Sequence, residues 1–265
     1  MKLQFENKHI IVTGGANGIG RSIAASFLKE GGAVTVIDID KKRGEELAGE
    51  YAGEQGGGIR FFHGDIAEKT VLESFVQSLD RPADCLINNA CISRRGLLPR
   101  GEEPPCSYED FEYVQRVGVT APYYLTSLLL KGNLLAPGAS IVNIASTRAL
   151  QSQPNTESYS AAKGGIYALS HAMAVSLAGR ARVNSISPGW IDTAEWQEGK
   201  TLREHSGPDK GQHPAGRVGR PEDIAEMALY LCSERAGFIT GENITVDGGT
   251  SRLMVYNGDH GWTYK

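Results

Sequence analysis

Seven short apolar, β-branched runs recur along the chain: HIIVTGG (9–15), AVTVIDI (33–39), IRFFHGDI (59–66), CLINNA (85–90), SIVNIAS (140–146), RVNSISPG (182–189) and ENITVDGG (242–249). Most are nearly continuous in apolar residues and show little alternation, the pattern of strands covered on both faces of a parallel sheet. Between them lie stretches of helical periodicity: GRSIAASFLKEG, TVLESFVQSL, YVQRVGVTAPYYLTSLLL, AAKGGIYALSHAMAVSLA and PEDIAEMALYLCS. Strand, helix, strand, repeated, predicts an α/β fold: a doubly wound parallel sheet with helices on both faces. Ligands of such sheets gather beyond the carboxyl ends of the strands, so the residues just past each run are the candidates for function.

The chain has 265 residues, 40% hydrophobic and 22% charged, enough for one large core. No repeat, low-complexity tract or linker divides it, and a single domain over 1–265 is expected. Two stretches rich in Gly, Pro and charge, 91–110 and 192–216, each follow a predicted strand and are expected to be mobile loops. A formal charge of −4 supplies no general basic surface, so neither nucleic acid nor membrane lipid is an expected partner. The N-terminus lacks the apolar core of a signal peptide, and no run approaches the ~18 apolar residues of a membrane span, which predicts a cytoplasmic protein. Cys85, Cys91, Cys106 and Cys232 form no C-x-x-C pair, and the histidines show no ligand spacing; reduced thiols and no metal site are expected.

The first predicted strand runs into TGGANGIGRSIA, with Gly14, Gly18 and Gly20 at the turn into a helix. Glycine lets a backbone turn sharply and approach a pyrophosphate, and the helix N-terminus presents free N–H groups to the anion. The spacing is G-x-x-x-G-x-G, in the strand-to-helix context that a dinucleotide site requires. Asp38 follows the second run, placed to accept hydrogen bonds from the adenosine ribose hydroxyls and to repel a 2′-phosphate. Neither Ala16, Asn17 nor Ile39 is basic, so no cation is evident to hold such a phosphate, and NAD is expected over NADP.

Within ESYSAAKGG (157–165), Tyr159 and Lys163 fall one helical turn apart on the same face. An ammonium beside a phenol favours the phenolate, and a phenol so placed can exchange a proton with a substrate hydroxyl. Ser146, at the end of the fifth run, offers a hydroxyl to a substrate oxygen as charge builds on it.

TGGANGIG, Asp38, Asp65 in HGDI, INNA (87–90), Ser146, YSAAK (159–163), SPG (187–189) and DGG (247–249) stand in the order and spacing of the short-chain dehydrogenase/reductase family, which the chain resembles from about residue 7 to 250. The resemblance implies a Rossmann-like fold and an NAD-dependent oxidoreductase moving hydride between nicotinamide and a secondary alcohol or ketone. It implies Ser146, Tyr159 and Lys163 as catalytic residues, with Lys163 also anchoring ribose hydroxyls. It places Asp65 and Ile66 at the adenine, Asn88, Asn89 and Ala90 at the ribose, and Ile191 and Thr193 at the nicotinamide carboxamide and phosphate. Gly189 would close a backbone turn there beside Pro188, and Gly14, Asn17, Gly18, Ile19 and Gly20 form the phosphate loop. Gly164 and Gly165 suit close helix packing, either at the interface of a homo-oligomer (tetramer or dimer) or on the sheet alone.

Two positions depart from the family pattern. Where the family carries an asparagine in a V-N-x-x-G/A segment, VQRVGVT is expected to put Gly118, which keeps a backbone carbonyl and tolerates a bend. Cys91 stands where NNAG is usual, as an inert small residue or an oxidation-sensitive one. Residues 192–216 are expected to lid the substrate, with Trp196 as an apolar wall. Arg94, Arg95 and Arg148 are candidates to read a carboxylate or phosphate, or are solvated; Gln151, Asn155 and Glu157 add polar groups. A polar small-molecule substrate (polyol, sugar or hydroxy acid) is favoured over a steroid. The tail, 250–265, either reaches a neighbouring subunit or straps its own. The competing reading is an NAD-binding sensor or scaffold that has lost turnover, motivated by Gly118.

Overall fold

The computed structural model describes residues 4–53, 58–94, 96–98, 105–197, 201, 203–254, 256 and 258. The elements are β1 (His9–Thr13), α1 (Gly18–Lys29), β2 (Ala33–Asp38), α2 (Lys41–Glu50), β3 (Ile59–His63), α3 (Lys69–Gln77), β4 (Ala83–Asn88), α4 (Tyr108–Gln115), α5 (Ala121–Lys131), β5 (Leu135–Ile144), α6 (Glu157–Ser176), β6 (Ala181–Pro188), α7 (Gly207–Gly211), α8 (Pro221–Cys232) and β7 (Asn243–Val246). The strands form one parallel, Rossmann-like sheet in the order β3-β2-β1-β4-β5-β6-β7. The order reverses between β1 and β4, which opens the crevice where such sheets bind ligands.

The continuous apolar runs have a simple cause. Successive β1 residues serve opposite faces: Ile10 and Val12 join Ile23, Phe27, Ile224 and Leu231 of α1 and α8, whereas Ile11 joins Phe75, Leu125, Leu129 and Met173 of α3, α5 and α6. No helix among the described residues is long and apolar enough to cross a membrane.

Two differences from the sequence expectation bear on the site. The fifth strand begins at Leu135, through an Ala-Pro-Gly that reads locally as a turn, because Leu135 pairs with Ala83 across a register shift before the regular ladder starts at Cys85 and Ser140. It ends at Ile144, so Ser146 lies two residues beyond the strand and caps a short 3₁₀ turn, Thr147–Ala149. Between α4 and α5 the helix continues through a wider π segment, Arg116–Thr120. Gly118 sits in that segment against α6, where a Cβ would fall 2.8 Å from the Ala162 methyl.

Candidate active site

The glycine loop forms one end of a cavity of about 650 Å³ at the carboxyl edge of the sheet. Gly14 has φ +66° and lies so close to Ala90 that a Cβ would be 2.7 Å from its Cα; Gly18 has φ +52° and faces Thr193. Gly20 does not line the cavity: its missing Cβ leaves room for the Gly14 carbonyl, 2.1 Å from where that carbon would stand, so it lets α1 close behind the loop. Asn89 ties this loop to β4, its Nδ2 donating to the carbonyls of Thr13 (3.1 Å) and Gly14 (2.9 Å). Asn88, expected at the ribose, instead donates to Asn143 Oδ1 (2.8 Å), and Asn143 donates to Ser170 Oγ (2.8 Å), an amide chain that docks α6 on β5.

Against the loop Asp38 is almost fully buried, and its two oxygens accept the N–H groups of Ala16 and Asp40, each at 2.9 Å. Burial pushes its carboxyl above the usual range, with those backbone donors pulling the other way. The structure adds a cation that the loop residues themselves do not supply. Arg43, from the first turn of α2, donates to Asn17 Oδ1 (2.6 Å) and faces Asp40 at 3.3 Å. The signal was its i,i+3 spacing from a helix-capping Asp40. Asp65 is likewise engaged, accepting Ala67 N–H (2.9 Å) and the Tyr113 hydroxyl (2.7 Å). Tyr113, a cavity residue not foreseen, has its hydroxyl pushed up to about 12 by burial and by that carboxylate.

Ser146, Tyr159 and Lys163 line the same cavity, with Ile66, Ala90, Pro188, Gly189, Ile191 and Thr193 around its wall, and Asn17 and Ile19 in the loop. Lys163 is 3% exposed and donates to the Ile144 carbonyl at 2.6 Å, with Nζ 5.5 Å from the Tyr159 ring centroid. The register of the V-N-x-x-G segment corrects the expectation for Gly118: Val114 to Gly118 fits it with Gln115 at the amide and Gly118 at the glycine. Gln115 Nε2 donates to the Ser158 carbonyl at 2.9 Å, holding the first turn of α6 beside Tyr159. Cys91 is exposed at the cavity edge, and Gly165 packs on Val119 of the π segment.

A second cavity, about 710 Å³, adjoins the first through Ser146, Tyr159, Gly189 and Ile191. Its aromatic wall is Trp190, not Trp196. Trp190 contacts the rings of His205 (centroids 5.5 Å) and His213 (6.0 Å), and His205 Nε2 lies 3.1 Å from Asp192 Oδ2. Trp196 turns instead toward α8, its Nε1 donating to Glu222 at 2.7 Å. Of the candidate arginines, Arg94 pairs with Asp110 (3.5 Å) over the Tyr113 ring, Arg95 lies outside the described residues, and Arg148 lines the second cavity. Gln151 also lines it, whereas Asn155 and Glu157 accept the N–H groups of Leu98 and Leu97.

A family model described as enoyl-(acyl carrier protein) reductase matches residues 14–251. An uncharacterized oxidoreductase of Thermotoga maritima is 42% identical over 260 residues, 95% of this chain and 98% of that protein. An apo SCOR enzyme from Clostridium thermocellum superposes with a TM-score of 0.82 at 44% identity, covering 98% of this chain and 99% of the other. A short-chain dehydrogenase/reductase from Brucella melitensis described as a glucose/ribitol dehydrogenase gives 0.79 at 30% identity, covering 96% and 100%.

Proposed function

Because the chain belongs to the short-chain dehydrogenase/reductase family of oxidoreductases, we propose that it is an NAD-dependent dehydrogenase or reductase acting on a polar secondary alcohol or ketone. The observation that carries this reading is the meeting of Lys163, Tyr159 and Ser146 in the cavity that the glycine loop and Asp38 also line.

The residues fit a nicotinamide dinucleotide. Side chains are missing where a pyrophosphate must approach, at Gly14 and Gly18, and an acceptor carboxylate is prepared at Asp38 by two backbone donors. Asp65 and Ile66 would flank the adenine, Asn89 and Ala90 the ribose, and Gly189, Ile191 and Thr193 the nicotinamide end. Asp38 supports NAD, since a 2′-phosphate there would meet a carboxylate, and Arg43 is engaged by Asp40. The bound nicotinamide would accept a hydride from the carbinol carbon or return one to a carbonyl. Tyr159 Oη takes or gives the hydroxyl proton, the Lys163 ammonium stabilises the phenolate, and Ser146 Oγ donates to the substrate oxygen.

A homo-oligomer suits the exposed aromatic residues Tyr108, Phe111 and Tyr123 on α4 and α5. The sensor alternative rested on Gly118; with that glycine packed on Ala162, no observation favours it. The test is a panel of polyols, sugars and hydroxy acids with NAD⁺, followed at the absorbance of reduced nicotinamide. Turnover that Tyr159→Phe abolishes supports the reading, and tight NAD⁺ binding without turnover on any compound sinks it.

A further inference from the structure

The second cavity carries a single basic and a single acidic side chain among its described lining residues, Arg148 and Asp247. The acid is occupied, its carboxylate accepting the N–H groups of Gly249 (2.9 Å) and Ser251 (2.8 Å). Among the described residues no carboxylate lies within ion-pair distance of the base. Its guanidinium is nevertheless held in place. One nitrogen donates to Gln153 Oε1, and the carbon sits 5.8 Å from the ring centroid of Tyr159. The backbone beneath it is fixed as well, since Arg148 N–H donates to Ser146 Oγ at 3.2 Å.

A guanidinium so placed stands over the ring whose hydroxyl would exchange the proton, on a turn capped by the serine that would bind the same substrate oxygen. Its remaining donors are those that bind a carboxylate bidentately. We infer that Arg148 is the specificity residue for an anionic substrate, and that the substrate is a short hydroxy acid or its oxo acid. Its carboxylate bonds the guanidinium while its carbinol lies between Ser146 and Tyr159; Trp190 bounds the carbon chain. This inference rests on the dehydrogenase reading above and narrows its substrate class.

The test compares lactate and 3-hydroxybutyrate with their methyl esters, and gluconate with ribitol, in wild type and in Arg148→Gln and Arg148→Lys. In wild type the acids should be preferred in kcat/KM. Arg148→Gln should reduce the acid-to-ester ratio by about 10- to 100-fold, mainly through KM, as expected for a charge-assisted hydrogen bond, and Arg148→Lys should restore part of it. The inference is overturned if neutral compounds are the better substrates in wild type. It is equally overturned if Arg148→Gln lowers acid and ester together, which would make Arg148 only a cation beside the Tyr159 ring. If nothing turns over, the dehydrogenase reading fails, and calorimetry of the three acids against NAD⁺-saturated protein decides the subsite separately. Binding that Arg148→Gln removes upholds it; binding of none of the three refutes it.

Discussion

Lys163 donates to the carbonyl of Ile144, the last residue of β5, at 2.6 Å. Seven residues further along α6, two turns of the same face, Ser170 accepts from Asn143. These two bonds fix the helix against the strand both along and across its axis. Tyr159 and Ser146 therefore face one cavity because their elements are pinned on the sheet side of the site. Lys163 thus has a structural bond in addition to its proposed electrostatic one.

Tyr159→Phe keeps the ring and removes the exchangeable proton. Turnover on any accepted substrate should fall by about 10²- to 10⁴-fold, while NAD⁺ affinity measured by calorimetry changes little. Residual turnover within tenfold of wild type would show that another group exchanges the proton.

Gly118→Ala would drive a methyl to 2.8 Å from that of Ala162. The cost should be about 1–3 kcal/mol of unfolding free energy. Gly164→Ala is the control: on α6 itself, its Cβ would meet nothing nearer than the Ala149 carbonyl oxygen at 4.0 Å. A helical Gly-to-Ala change there should gain up to about 1 kcal/mol. Equal effects in denaturant titrations of the two variants would refute the packing account.

Asp38 carries a pH prediction. Its folded pKa is raised, chiefly by burial, so the folded protein holds that proton more readily than the unfolded chain, and this group's contribution to stability declines as pH rises through the raised value. NAD⁺ binding has the opposite demand, because the ribose hydroxyls need the ionised acceptor. Affinity should be flat near neutrality and weaken on acidification at a pH above that of an ordinary aspartate, and Asp38→Asn should remove the dependence. Asp38→Ala should also lower the NAD-to-NADP preference in kcat/KM by about 10- to 100-fold. A wild-type affinity independent of pH through the acid range would count against this role.

Tyr113→Phe removes the donor to Asp65 Oδ2. With the hydroxyl pushed up to about 12, that donor is present throughout the working pH range. Its loss should raise KM for NAD by about 2- to 12-fold, the worth of one hydrogen bond, and leave kcat unaltered. A drop in kcat with KM unchanged would place Tyr113 in the chemistry instead.

The chain's local periodicities determined a good deal without any structure. Apolar runs marked all seven strands, most clearly β1, β2, β4, β5 and β6, each of which feeds two cores, and i,i+4 spacing put Tyr159 and Lys163 on one helical face. The glycine turn was legible because positive φ and close approach leave their mark in residue type. What the sequence could not decide was where side chains separated by tens of residues are aimed. Whether Trp190 or Trp196 walls the second cavity, what fills the space where Gly20 has no side chain, and whether Arg94 or Arg148 finds a carboxylate partner among the described residues depend on how loops settle against distant helices. Those outcomes follow from packing and charge pairing between elements, interactions that only the tertiary structure brings within range.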